Sequence, residues 1–237
     1  ADIRLGYVHQ NNRTNSIGTA QFAAGTTFEP YLDTIQLGGR HEGAGRLDLR
    51  NATIAGSALS LNTLQIGDQD GWANGDLDSY VYLDSSSIDT LEVKSELTMS
   101  TGQRTVARIG VMSNGWQLPA DCDVILGVDD SNRATVTAGG EGNYRTRDAY
   151  LAAFSGGTLT AYIDTMHVGR NLTVVSNDSL RGLQQGTFDF SAMDACTVDV
   201  GTMVIGAAAK VADNAPGQGT LRLPDGTLIA DSITLGD

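Results

Sequence analysis

The chain holds 237 residues, enough for one large domain or a stacked array, with 28 acidic against 15 basic residues and a formal net charge of −13. Such a surface repels phosphate backbones and anionic lipid, which excludes nucleic acid, and no apolar run reaches the roughly 20 residues of a spanning helix, which excludes membrane insertion by one. Charged residues make up 18%, hydrophobic residues 41%, and there are 29 glycines against 4 prolines, so short strands joined by turns are expected rather than disorder.

In chain order, one phrase recurs: apolar, Asp or similar, Thr, apolar, any residue, apolar, usually Gly. It reads Leu32-Asp33-Thr34-Ile35-Gln36-Leu37-Gly38 and then Leu61-Asn62-Thr63-Leu64-Gln65-Ile66-Gly67. Ile88-Asp89-Thr90-Leu91-Glu92-Val93 follows without the glycine. Later copies are Ile163 to Gly169, Val200 to Gly206 and Ala230 to Gly236. A second phrase, Gly-Thr-apolar-any-apolar, begins at Gly18, Gly157, Gly186, Gly219 and Gly226, with a variant at Gly45. The apolar-any-apolar triplet is strand alternation, and the glycine beside it marks a corner.

The Thr positions 34, 63, 90, 165, 202 and 232 are mostly about thirty residues apart. The gap between Thr90 and Thr165 is expected to hide two degenerate copies, at Val106–Gly110 and Val124–Gly127, with Ala134–Ala138 as a further strand. No segment sustains the i, i+3, i+4, i+7 pattern of a helical solenoid. The expectation is therefore an all-β chain, residues 1–237 forming a single parallel β-helix (β-solenoid) of roughly eight irregular coils, about thirty residues each. No coil buries its apolar residues alone; stacking does so, and leaves unpaired strand edges at both ends. Those ends carry the same phrase, Asp2-Ile3-Arg4-Leu5-Gly6 and Ser232-Ile233-Thr234-Leu235-Gly236. Either a segment of a longer array, or copies stacking head to tail into a filament, is expected.

The Gly-Thr-Leu-any-Leu and Leu-any-Ile-Gly phrases resemble the β-helix repeats of bacterial surface and autotransported proteins. The resemblance runs along most of the chain but points to no particular family. It implies an adhesin, stalk or envelope layer, located extracellularly or at the cell surface, with other copies of itself and surface glycans as partners.

The best cation-site pattern is Asp68, Asp70, Asn74, Asp76 and Asp78, oxygen ligands spaced around glycines as a Ca²⁺ loop would need. The same residues are also common turn formers. Asp121, Asp123, Asp129 and Asp130 form a weaker acidic cluster. Asp33, Asn62, Asp89, Asp164 and Asp231 share one position of the phrase and are expected to stack as a structural ladder. The residues pointing out beyond them, Gln36, Gln65, Glu92, His167, Val204 and Thr234, are too mixed for an ice-binding face.

No catalytic residues are assigned. His9, His41 and His167 are dispersed, and neither a nucleophile elbow nor a phosphate loop is present. The enzymatic alternative is a polysaccharide-binding or polysaccharide-cleaving β-helix, for which Asp129, Asp130, Arg133, Arg145 and Arg147 are the one suitable grouping. Asn143, Tyr144 and Tyr150 mark a loop suited to partner contact. Asn12, Asn51, Asn171 and Asn177 begin Asn-any-Ser/Thr sequons. Cys122 and Cys196, more than two repeats apart in sequence, are expected to remain separate thiols, since strands two rungs apart lie about 9.6 Å from each other.

Overall fold

The computed structural model describes residues 1–6, 16–29, 31–38, 43–49, 51–67, 77–82, 88–99, 105–112, 116–117, 121–139, 147–151, 156–169, 184–206 and 217–236. Strands run in the order β1 (Asp2–Leu5), β2 (Ser16–Gln21), β3 (Thr27–Phe28), β4 (Thr34–Leu37), β5 (Gly43–Asp48) and β6 (Thr53–Ile54). Next come β7 (Ala58–Ile66), β8 (Leu77–Tyr82), β9 (Thr90–Met99), β10 (Thr105–Met112), β11 (Trp116–Gln117), β12 (Asp123–Leu126) and β13 (Ala134–Ala138). The last are β14 (Arg147–Leu151), β15 (Thr158–Val168), β16 (Gln184–Asp189), β17 (Ala195–Ile205), β18 (Gly217–Arg222) and β19 (Gly226–Leu235). Among the described residues the one helical element is a 3-10 turn at Ala55–Ser57, so the protein is all-β.

Two large parallel sheets hold almost everything. The first has eight rungs, in the order β1, β4, β7, β9, the pair β12 and β13, β15, β17 and β19. The second runs β2, β5, β8, β10, β14, β16, β18, with β11 folded back antiparallel on β10. A two-strand parallel patch joins β3 to β6. In both large sheets the spatial order is the chain order, and the chain alternates between them.

The repeated phrase sets the register. Ile3, Ile35, Leu64, Leu97, Val136, Met166, Met203 and Ile233 form one column of the first sheet, each paired with the next. Between the ends this column is buried, Ile35 and Val136 at 0% exposure and Met166 at 2%. A one-residue slip would turn the whole column to solvent, so the pattern fixes the pairing. In the second sheet Leu47, Val81, Ile109 and Phe188 form the matching buried column, and Phe188 stacks on Phe190 with ring centroids 6.1 Å apart.

The sheets meet along a seam of small residues. Every rung of the first sheet except the fourth is followed by a glycine, as at Gly38 and Gly169, whose amides donate to Leu5 and Ala138 of the preceding rung. Their φ values, +72° and +64°, belong to the left-handed region that side chains resist. Facing them, the second sheet presents Gly18, Gly45, Ser79, Ala107, Ala149, Gly186 and Gly219 in one register. A Cβ on Gly45 would come 2.5 Å from the Leu5 carbonyl oxygen and 2.6 Å from the Gly38 nitrogen, so β5 is wedged between rungs one and two. Gly186 lies likewise between rungs five and six, and Gly219 between rungs six and seven.

Several sequence expectations shift. Thr90 pairs with Ala58, whereas Glu96 pairs with Thr63, so the copy at 88–93 occupies the first half of its rung and Glu96-Leu97-Thr98-Met99 occupies the second. The reason is a bulge at the bend of the strand, where Asn62 faces two residues of β9. Asp89 therefore leaves the expected Asp column, and the outward row past Gln65 continues through Thr98 and Thr137 rather than Glu92. The phrases at Gly157 and Gly226 lie in the first sheet, whereas those at Gly18, Gly45, Gly186 and Gly219 lie along the second. The two copies expected between Thr90 and Thr165 are one rung: Val124 and Val136 share it, and Val106–Gly110 belongs to the second sheet.

Candidate functional site

Of the Ca²⁺ pattern, Asp68, Asp70, Asn74 and Asp76 lie outside the described residues; Asp78 sits in β8 opposite Val106. Among the described residues no group of three or more His, Cys, Asp or Glu is arranged to hold a metal ion. His9, His41, Asn143, Tyr144 and Arg145 are also outside the description, as are the sequons at Asn12, Asn171 and Asn177. His167 lies between Thr137 and Val204 in the first sheet, Tyr150 lies between Arg108 and Thr187 in the second, and Arg147 pairs with Gln184. Asn51 is exposed in a turn.

The acidic cluster of rung five is well resolved into parts. Asp123 accepts from the Thr158 amide at 2.7 Å and the Thr158 hydroxyl at 2.9 Å, tying rung five to rung six. Asp129 accepts from the Ser131 amide (2.8 Å), and from the amide and side-chain nitrogen of Asn132 (both 2.9 Å). These bonds hold its carboxyl below the ordinary carboxylate range, the Ser131 amide foremost. They close a tight excursion, 127–133, at the bend of rung five.

Arg133 closes that excursion against the sheet. It reaches Asp130 at 3.1 Å, the Ile163 carbonyl at 3.3 Å, and Asp199 two rungs away at 2.8 Å. The Asp199 bond, with the nearby Asp130 and Asp231 charges, raises the guanidinium pKa. Asp130 and Arg133 of the proposed sugar-cleaving group are thus engaged with each other, while Asp129 shapes the turn. Sequence spacing gives no sign of the Arg133–Asp199 link, because its partners are 66 residues apart.

Elsewhere polar groups brace the rungs. Arg222 reaches Asp189 at 2.6 Å, and the Ser191 hydroxyl donates to the same carboxylate at 2.6 Å. Burial pushes the Asp189 pKa up, but these bonds outweigh it and hold the carboxyl below its usual range. Asn62 donates to Asp33 and Ser60 to Glu92, each across adjacent rungs. Both cysteines are free and buried; burial pushes the Cys122 thiol up to about 12 and raises that of Cys196.

The feature that stands apart is the last rung. Among the described residues β19 pairs with β17 alone, leaving a ten-residue strand with one open edge. Its apolar side chains are uncovered: Leu228 is 42% exposed, Ile229 54%, Ile233 50% and Leu235 69%. Leu228, Ile233 and Leu235 stand in the inward columns above Val198, Met203 and Ile205, and no described rung covers them from the other side. No family model, curated protein or solved structure matches the chain.

Proposed function

We propose that the two sheets are faces of a β-solenoid of eight coils, and that this solenoid is a structural module of an extracellular filament, adhesin or envelope layer, joining copies through its open edges. The edge of β19, which no described strand covers, carries the reading. A long, flat, apolar edge strand is what soluble proteins ordinarily shorten, charge or cover, because it invites another strand. Exposed apolar residues in inward columns give such an addition a core to complete, not just a row of hydrogen bonds. The polar groups described above favour the same reading, since they brace neighbouring rungs.

The net charge of −13 opposes association at low ionic strength, and salt screens it over about 10 Å at 0.1 M. Sedimentation across a concentration series at low and moderate salt, with negative-stain microscopy, tests the proposal. The expected outcome is rods that lengthen with concentration and form more readily as salt is raised. Dispersed monomers under every condition would refute it.

A further inference from the structure

The bulge opposite Asn62 also rearranges the outer surface of the first sheet. In the true register, two outward rows run side by side through the second half of rungs two to eight. One row is Thr34, Thr63, Glu96, Thr135, Thr165, Thr202 and Ser232. The other is Gln36, Gln65, Thr98, Thr137, His167, Val204 and Thr234. Six hydroxyls stand in the first row and three in the second. Sequence spacing sets Glu92 in the second row, where the structure sets Thr98, and so overstates how mixed the face is. Thr135, Thr202, Ser232 and Thr234 are exposed, and Thr34, Thr63, Thr137 and Thr165 are half-buried between neighbouring rungs. Thr98, at 7% exposure, is the exception, and its hydroxyl donates to Glu96 at 2.7 Å.

Parallel pairing spaces rungs about 4.8 Å apart, and alternate residues of one strand stand about 6.6 Å apart. The hydroxyls therefore lie on a two-dimensional lattice. Threonine is β-branched and stiff at χ1, so hydroxyl and methyl are held in place before anything binds. Each hydroxyl can both donate and accept. Charge is almost absent: Glu96 is the one carboxylate of the two rows, and neither holds Lys or Arg, in a chain of net charge −13. Charge enters at rung one, where Asp2 and Arg4 pair at 3.5 Å.

A small soluble ligand touches one or two such hydroxyls and gains little from them. An occupant matched to the array repeats in two dimensions, is uncharged, and offers donors and acceptors alike. A crystalline polysaccharide repeats too, but its rings pack on aromatic faces, and neither row carries Phe, Tyr or Trp. We infer that this face binds ice. The hydroxyl rows hold water in positions that join the crystal surface, and the methyls between them fill its hollows. Each contact is weak, and the rigid array makes many at once. Monomers and filaments present the face alike.

Partition of the labelled full-length chain into slowly grown polycrystalline ice tests this, with a labelled protein that has no ice affinity in the same solution. The parent is expected in the ice at about tenfold the level of that reference. Thr135→Tyr and Thr202→Tyr, both at exposed positions, are each expected to remove most of the enrichment. Thr197→Tyr, exposed on the first half of β17, is expected to keep it. Circular dichroism and urea midpoints matching the parent's identify folded variants, and Thr234→Lys replaces a tyrosine variant that does not fold. Exclusion of the parent from ice overturns the inference. So does enrichment that survives the row variants, or that falls equally in Thr197→Tyr. Retention of the parent on cellulose or chitin powder, with exclusion from ice, would reassign the face to a polysaccharide and overturn it too.

Discussion

Rungs six and eight carry the same phrase, yet they differ in everything that neighbours supply. In β15, Ala161, Met166 and Val168 are all at or below 2% exposure; in β19, their counterparts Leu228, Ile233 and Leu235 are 42–69% exposed. The local sequence is equally strand-forming in both. The difference teaches that a rung's burial, and most of its stability, comes from the rungs on either side. Rung one is intermediate: it is short, half-buried, and closed on one side only.

The comparison can be broken at its centre first. Leu64→Ala or Phe188→Ala, each fully or almost fully buried, is expected to cost about 2–5 kcal/mol, read as a lower urea midpoint. Ile233→Ala at the open rung is expected to lose less than about 1 kcal/mol from the monomer while weakening assembly. Equal losses at both positions would mean that β19 is covered in solution.

Seam glycines sharpen it next. Gly169→Ala forces a side chain into left-handed backbone at φ +64° and against the Gln218 carbonyl. Gly236→Ala meets only the backbone strain, about 1–2 kcal/mol, so the first variant is expected to be the less stable by calorimetry.

Smaller effects belong to the polar braces. The Asp189 carboxyl is held below its reference value of 3.8, so its contribution is complete above that pH and is lost as pH falls through the lower folded value. Asp189→Asn is therefore expected to flatten the acid limb of a pH-stability curve and leave its neutral limb parallel to that of the parent. Arg133→Ala, on the solvent face, is expected to give the smallest shift of all in thermal midpoint.

Much of this comparison is legible in the sequence. The phrases at Thr34, Thr63, Thr165, Thr202 and Ser232 give the true register of the second half of the first sheet. The number of rungs, about eight, follows from the spacing, even though the copies between Thr90 and Thr165 were misplaced. Those misplacements share a cause. At the bend of each strand the alternation resets, with Ile163 and Met166 both buried across outward-facing Asp164 and Thr165, and short phrases cannot register an extra residue there. Nor does spacing reveal which sheet a Gly-Thr phrase serves, because the same triplet suits either.

Residue-resolved amide exchange on the dilute monomer tests chain-order stacking with an open last rung most directly. Gly236 donates to Ile205, and parallel pairing then turns alternate amides of β19 outward. The account predicts slow exchange throughout Thr197–Ile205 of β17, slow exchange at Thr234 and Gly236, and fast exchange at Ile233 and Leu235. Uniform protection along β19, or fast exchange within β17, would contradict it.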